Sequence, residues 1–239
     1  GKAGCYSCPV SCHHKYRAGE IESEGPEYSI LASFGPVVGI KRLETVLYIN
    51  DLINRYGLDS SSTANLIAWT IELYKRGLMD QSVTDGLGLD WGNEEAIIEL
   101  IHRIAHRKGL GNILADGARE AVRYFGEETG RYLLWSKNLP QTDPADLRYF
   151  PAYALGDATA SRGPDHLRSR PTWESYRLSE ETLRGIYGGD VSANPRSYLG
   201  KGRVIWWWET YLSLFDALGI CKLIAFHCQP GLLDFAFFS

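Results

Sequence analysis

LETVLYINDLINRYGLDSSST, residues 43–63, is the stretch that decides the fold class. Leu43, Val46, Leu47, Ile49, Leu52, Ile53 and Tyr56 recur at intervals of three and four, which lays one broad apolar face along a helix. The pattern predicts a helix over 42–56. Gly57 follows at once, and glycine tolerates the left-handed conformation that ends a helix. SSST at 60–63 then offers N-cap residues for a second helix. That helix carries Ile67, Ile71, Tyr74 and Leu78, with Gly77 near its end.

The same pattern of start, apolar face and glycine stop extends along the chain. Asn93, Glu94 and Glu95 read as a helix start, because acidic side chains favour the positive N-terminal end. Ile97, Leu100, Ile101 and Ile104 form its face, and Gly109 closes it. Another helix carries Leu114, Ala118, Ala121, Val122 and Phe125 before Gly126. Ser179 starts a shorter one with Leu183, Ile186 and Tyr187. The last runs through Trp207, Tyr211, Leu214, Phe215 and Leu218 to Gly219. Strand patterns are scarce, with 132–135 and 152–155 as weak candidates. Residues 136–178, rich in Pro, Asp, Arg and Gly, read as a long functional loop. Trp206, Trp207 and Trp208 cannot share one helical face, so they read as packing at a domain border. The expected fold is all-α and multihelical.

The chain has 239 residues, 44% hydrophobic and 23% charged, with a net charge of −4. That composition supports a sizeable core and argues against a nucleic-acid face. No apolar run approaches the roughly 20 residues of a membrane span, and no signal peptide is visible. The first residue is Gly1, the single methionine is Met79, and the chain stops in the apolar LLDFAFFS. These ends suggest a segment of a longer protein, with part of its surface made to meet the rest.

Three of the five cysteines crowd into GCYSCPVSCHHKY, residues 4–16, spaced C-x2-C-x3-C at Cys5, Cys8 and Cys12. Cysteines packed so closely in a large domain point to a metal centre and a reducing, cytoplasmic setting more than to disulfides. Zinc sites favour paired ligands, and a zinc knuckle here would need His13 or His14 as its fourth ligand. Three clustered cysteines and one distant one suit a four-iron cluster better. Cys221 and Cys228 are the distant candidates.

Two other features could carry chemistry. NRYGLDS at 54–60 and DALGICK at 216–222 echo one another, each a polar residue, a glycine, an apolar residue and a polar residue at a helix end. Such an end can clamp the edge of a heterocycle by hydrogen bonds. His166, flanked by Arg162 and Arg168 in SRGPDHLRS, is an acid–base candidate. The acidic cluster of Glu22, Glu24 and Glu27 could supply a proton-transfer group if a metal site lies near.

Taken in order, the cysteine loop, GPEY at 25–28, NRYGLDSSST, ILADGAREA, LPQTDPADLR, SRGPDHLR and DALGICK resemble the aldehyde:ferredoxin oxidoreductase family of tungsten bis-pterin enzymes. The resemblance spans nearly the whole chain. It implies the two helical domains of that fold, with the family's N-terminal β-rich domain missing from this chain. The first would span 1–135 with the cysteine loop and first pterin motif. The second would span 136–239 with the active-site loop and second motif, incomplete at the C-terminus.

The resemblance also implies roles. Cys5, Cys8, Cys12 and Cys221 would ligate a [4Fe-4S] cluster, leaving Cys228 outside the pattern. Asn54, Gly57, Leu58 and Asp59 would bind one pterin of a tungsten (or molybdenum) bis-pyranopterin, and Asp216, Gly219, Ile220 and Lys222 the other. Asn54 stands where the family usually has Asp, and it can accept a hydrogen bond but adds no charge. His166 would lie near the metal, with Glu27, or Glu24 second, as its acidic partner. The implied reaction is oxidation of an aldehyde to a carboxylate, with electrons passed to ferredoxin. One family branch, resembling class II benzoyl-CoA reductases, reduces an aryl-CoA thioester inside a larger complex, so the implied assembly is a homo-oligomer or a multi-subunit complex. A non-catalytic iron–sulfur or zinc module is the remaining reading.

Overall fold

A computed structural model of the chain describes residues 1–141, 147–171 and 178–225. The chain divides into two compact units, Gly1–Pro144 and Ala145–Ser239. Both are built mainly of helices, as the sequence predicts.

The first unit opens with a feature the apolar periodicity does not announce. Strands β1 (Lys2–Ala3), β2 (His13–Ala18) and β3 (Ile21–Glu24) form an antiparallel sheet in that order. Lys2 pairs with His14, and Lys15 with Glu24. The strands read HHKYRA and IESE, too polar to show apolar alternation. Helix α1 (Tyr28–Ala32) then runs into a π-helical turn, Ser33–Val37, that contains Pro36. Proline has no N–H for the normal helical ladder, which suits a wider turn.

Helices α2 (Leu43–Tyr56) and α3 (Ser60–Lys75) form the heart of this unit. Asp59, one residue ahead of the expected SSST start, caps α3 by accepting from the Ser62 N–H at 2.7 Å. Ile49 and Ile53 of α2 meet Ile67 and Ile71 of α3 in a single core, all at most 1% exposed. Burying each such side chain contributes about 1.5–3 kcal/mol. Trp69 is buried with them and donates Nε1–H to the Thr129 carbonyl at 3.0 Å.

Helix α4 (Glu94–Ala105) starts where Asn93 accepts from the Ala96 N–H at 3.3 Å. The single helix expected around 114–125 is two, α5 (Leu110–Leu114) and α6 (Ala118–Phe125). Gly117, at φ 88, breaks them apart, and Gly109 opens α5 instead of closing α4. Only the end of the 132–135 candidate is a strand: β4 (Trp135–Ser136) pairs with β5 (Leu139–Pro140).

In the second unit, residues 152–155 lie in helix α7 (Pro151–Thr159), not in a strand. Proline in the first turn, where no N–H is needed, starts that helix inside the stretch expected to be loop. Helix α8 (Glu180–Tyr187) is capped by Ser179, which accepts from the Thr182 N–H at 3.1 Å. Helix α9 (Lys201–Leu218) is the longest among the described residues, and α10 (Lys222–Ala225) follows it. The three tryptophans on α9 part as the helical period demands. Trp208 is buried and bonds the Tyr187 hydroxyl at 3.2 Å, Trp207 stacks on Tyr211 at 4.8 Å, and Trp206 is 64% exposed. No described helix is long and apolar enough to cross a membrane.

Candidate functional site

The cysteine loop is the connection between β1 and β2, pinned at its base by the β-ladder. Inside it the Cys8 N–H bonds the Cys5 carbonyl at 3.0 Å. Ser7 and Ser11, the residues before Cys8 and Cys12, sit at φ 56 and φ 46. Left-handed residues re-aim successive N–H groups, the backbone arrangement that lines anion and iron–sulfur sites. Gly4 packs against Ser11 so closely that an added Cβ would lie 3.1 Å from the Ser11 Cα, which closes the loop on itself.

Cys5 is exposed, Cys8 and Cys12 are half-buried, and none of them, nor exposed Cys221, is in a disulfide. Among the described residues no three His, Cys, Asp or Glu side chains gather as a ready-made holder for one ion. A single tetrahedral ion needs its donors at one point. A four-iron cluster takes one thiolate per iron, so its donors stand apart around a cube. The donor chemistry of this loop, three cysteine thiols on one short, closed turn, fits such a cluster.

His13 begins β2, with Nδ1 3.8 Å from Glu27 Oε1. Both line a cleft of about 630 Å³ that also takes in Glu24, Asn54, Leu58 and Arg55. Four residues singled out from sequence, Glu24, Glu27, Asn54 and Leu58, therefore meet at one cavity. Glu27 is the residue before α1, after the cis Gly25–Pro26 bond, and its side chain is 56% exposed. Glu24 ends β3, 3.5 Å from Lys15.

The wall of the cleft is braced by Asn50, which sequence reading passed over. Asn50 is 2% exposed and donates from Nδ2 to the Glu24 carbonyl at 2.8 Å and to the Tyr16 hydroxyl at 3.0 Å. Tyr16 in turn donates to the Leu47 carbonyl at 2.7 Å. The sequence signal was there: Asn50 falls at i+4 from Val46 and i−3 from Ile53, a polar residue inside an apolar stripe. Asn50→Ala removes both bonds from the buried amide and leaves two half-buried acceptors short. The expected loss is about 2 kcal/mol, read from urea unfolding of the chain.

The two echo motifs share one backbone design. At the end of α2, Gly57 sits at φ 63 and ψ 32, its N–H bonds the Asn54 carbonyl at 3.2 Å, and the Leu58 N–H bonds the Ile53 carbonyl at 3.1 Å. At the end of α9, Gly219 sits at φ 66 and ψ 26, its N–H bonds the Asp216 carbonyl at 3.2 Å, and the Ile220 N–H bonds the Phe215 carbonyl at 2.9 Å. This is the Schellman close in both places. Asp59 and Cys221 then occupy the same position, each just before the next helix. Among the described residues, nothing beyond the turn itself lies within 4 Å of where a Cβ on either glycine would stand, which leaves both turns room for an incoming group. The negative end of a helix dipole suits a heterocycle edge rich in N–H donors. Asn54, Asp59, Asp216, Gly219 and Ile220 are all exposed.

His166 lies on the 161–169 loop of the second unit, next to Asp165, which is 5% exposed. Burial pushes the Asp165 carboxyl up, but the hydrogen bonds from Arg162 and the Leu167 N–H, with the charges of Arg162 and His166, outweigh it. The net effect holds it below the ordinary carboxylate range. A depressed folded pKa gives stability that is present above the unfolded value and lost as pH falls through the folded one. Asp165→Asn is therefore expected to lower stability at neutral pH and to flatten its decline below about pH 5, as followed by thermal melts across pH. Lys222 reaches this loop as well, donating to the Leu167 carbonyl at 2.8 Å. Cys228 lies outside the described residues.

Comparison with known proteins identifies the family. The family model described as aldehyde ferredoxin oxidoreductase, domains 2 and 3, matches residues 1–236. A tungsten-containing aldehyde ferredoxin oxidoreductase of Pyrococcus furiosus is 30% identical over 93% of this chain and 35% of its own length. The counterpart from Pyrococcus abyssi is 33% identical over the same shares. An aliphatic sulfonate oxidoreductase, WOR-like subunit, of Pyrococcus furiosus is 35% identical over 95% of this chain and 32% of its own. The chain thus spans about a third of these relatives. A similar fold occurs in the active site complex BamBC of benzoyl coenzyme A reductase with 1,5-dienoyl-CoA, at TM-score 0.72 and 23% identity, covering 93% of this chain and 37% of that one. The match over residues 1–236 places the chain in the aldehyde ferredoxin oxidoreductase family, in the part described as its domains 2 and 3.

Proposed function

We propose that this chain is the helical part of an oxidoreductase that converts an aldehyde and water to a carboxylate, releasing two electrons and the accompanying protons. The observation that carries the reading is the repeated helix close, one copy ending in Asp59 and the other in Cys221. Two matched clamps suit a cofactor with two like halves, a tungsten (or molybdenum) bis-pyranopterin. Asn54, Gly57, Leu58 and Asp59 would hold one half, and Asp216, Gly219, Ile220 and Lys222 the other. When bound, that group supplies the two-electron step. Cys5, Cys8, Cys12 and Cys221 would hold a [4Fe-4S] cluster that hands electrons on singly to ferredoxin.

The chain's own side chains would manage protons and position. Glu27, with Glu24 beside it on the same cleft, is the carboxylate offered to the proton that water gives up. His166 would be the imidazole offered for proton transfer. The family's β-rich domain and a soluble electron carrier are the partners this reading requires.

The test uses the full-length protein, purified without oxygen. Iron, acid-labile sulfide and tungsten or molybdenum are measured, and turnover is followed with aldehydes, aliphatic sulfonates and benzoyl-CoA. Iron with tungsten and aldehyde-dependent ferredoxin reduction supports the reading. Zinc alone, without iron, sinks it in favour of a structural module. Sulfonates belong in the panel because of the 35% identity to the sulfonate oxidoreductase.

A further inference from the structure

Besides the exchange of Asp59 for Cys221, the two helix closes differ in charge. In the first, the leading residue is Asn54 and the residue six places on is Ser60, a neutral pair. In the second, the same two positions hold Asp216 and Lys222, and their side chains meet at 2.8 Å. The charge and its counter-charge are present together or absent together. The Lys222 side chain is only 16% exposed, so most of its length is packed while its ammonium bonds at the surface. Its ammonium also donates to the Leu167 carbonyl at 2.8 Å, in the loop that carries His166. The same loop is closed from within by Asp165, which accepts from the Leu167 N–H at 3.0 Å and through its own carbonyl from the Arg168 N–H at 3.1 Å.

We infer that Lys222 is a positioning residue that straps the His166 loop to the second cofactor clamp. Asp216 holds the ammonium on the clamp side, and the Leu167 carbonyl holds it on the loop side. A lysine donates up to three hydrogen bonds from one point, so it can join an anion and a carbonyl at once. Because Lys222 directly follows Cys221, the strap also links the proposed cluster ligand to the proposed acid–base residue through four consecutive groups: Cys221, Lys222, Leu167 and His166. The first clamp, with Asn54 and Ser60, has no such charged link. The inference rests on the proposed function for the role of His166, but the strap itself does not.

The experiment is hydrogen exchange of the 161–169 segment in the full-length protein, comparing wild type with Lys222→Met, Asp216→Asn and Lys222→Arg. Exchange of the Leu167 and Arg168 amides is expected to rise about tenfold in Lys222→Met and to rise in Asp216→Asn. Lys222→Arg, whose guanidinium can reach both acceptors, is expected to restore most of the protection. In turnover, Lys222→Met is expected to lower kcat with KM and iron content little changed. Unchanged exchange in Lys222→Met overturns the strap, whatever the protein catalyses. If Lys222→Met does not fold, Asp216→Asn with wild-type exchange has the same meaning. Faster exchange in a protein that turns over no aldehyde keeps the strap and removes the proposed function instead.

Discussion

Cys221→Ala in the full-length protein is expected to abolish the proposed four-iron cluster, while Cys228→Ala leaves it whole. The argument is one of ligand count. The β1–β2 hairpin offers three thiols at Cys5, Cys8 and Cys12 and no fourth cysteine. A cubane short of one thiolate exposes an iron to water and oxidants, and it decays towards a three-iron form or is lost. Cys221 is exposed, outside any disulfide, and fixed at the mouth of α10 by the Ile224 N–H, which bonds its carbonyl at 3.0 Å. The backbone there is already organised, so losing the sulfur removes a ligand without unfolding the turn. Electron paramagnetic resonance of the dithionite-reduced protein reads the result, with iron and sulfide analysis beside it. A wild-type signal in Cys221→Ala rejects the assignment and points to Cys228 or to a ligand from another part of the protein.

Much of this arrangement is legible in the sequence because it is local. A glycine stop after an apolar stripe needs only short-range backbone energetics, so both Gly57 and Gly219 are found correctly. The echo between 54–60 and 216–222 is likewise written in side chains a few positions apart. What sequence reading misses is set by long-range partners. Asn50 looks like a blemish on a helical stripe until Tyr16 and the Glu24 carbonyl, from a different element, are placed beside it. The Lys222 bond to Leu167 spans 55 positions and has no periodic signature. The small sheet escapes because its strands are polar and half-exposed, held by backbone pairing and by their place against α2 rather than by an apolar face. The helix at 151–159 escapes because Pro and Gly flags suggest loop, although Pro151 is at a position where proline starts a helix.

The close passage of α4 and α5 is the extreme case of a long-range constraint hidden in one small residue, and it carries the second large effect. Gly111→Ala is expected to destabilise the first unit by about 3 kcal/mol or more. A Cβ on Gly111 would run into the Arg103 carbonyl carbon and oxygen and the Ile104 nitrogen. All three are backbone atoms of a helix, so no side chain can swing aside to make room. The same carbonyl accepts from the Lys108 N–H at 2.9 Å in the turn that leaves α4, so moving it also opens that turn. Leu110 and Leu114, both 1% exposed, flank the glycine and hold α5 against the common core, which blocks relief by lifting the short helix away. At roughly 2–4 °C per kcal/mol for a protein of this size, the melting temperature is expected to fall by about 6–12 °C. Gly185→Ala is the control, because its Cβ would meet nothing within 4 Å and its φ is not in the left-handed region. Alanine there is expected to leave the melt unchanged or raise it slightly. Equal melting of Gly111→Ala and wild type would mean that α5 packs at a greater distance from α4 than the structure places it.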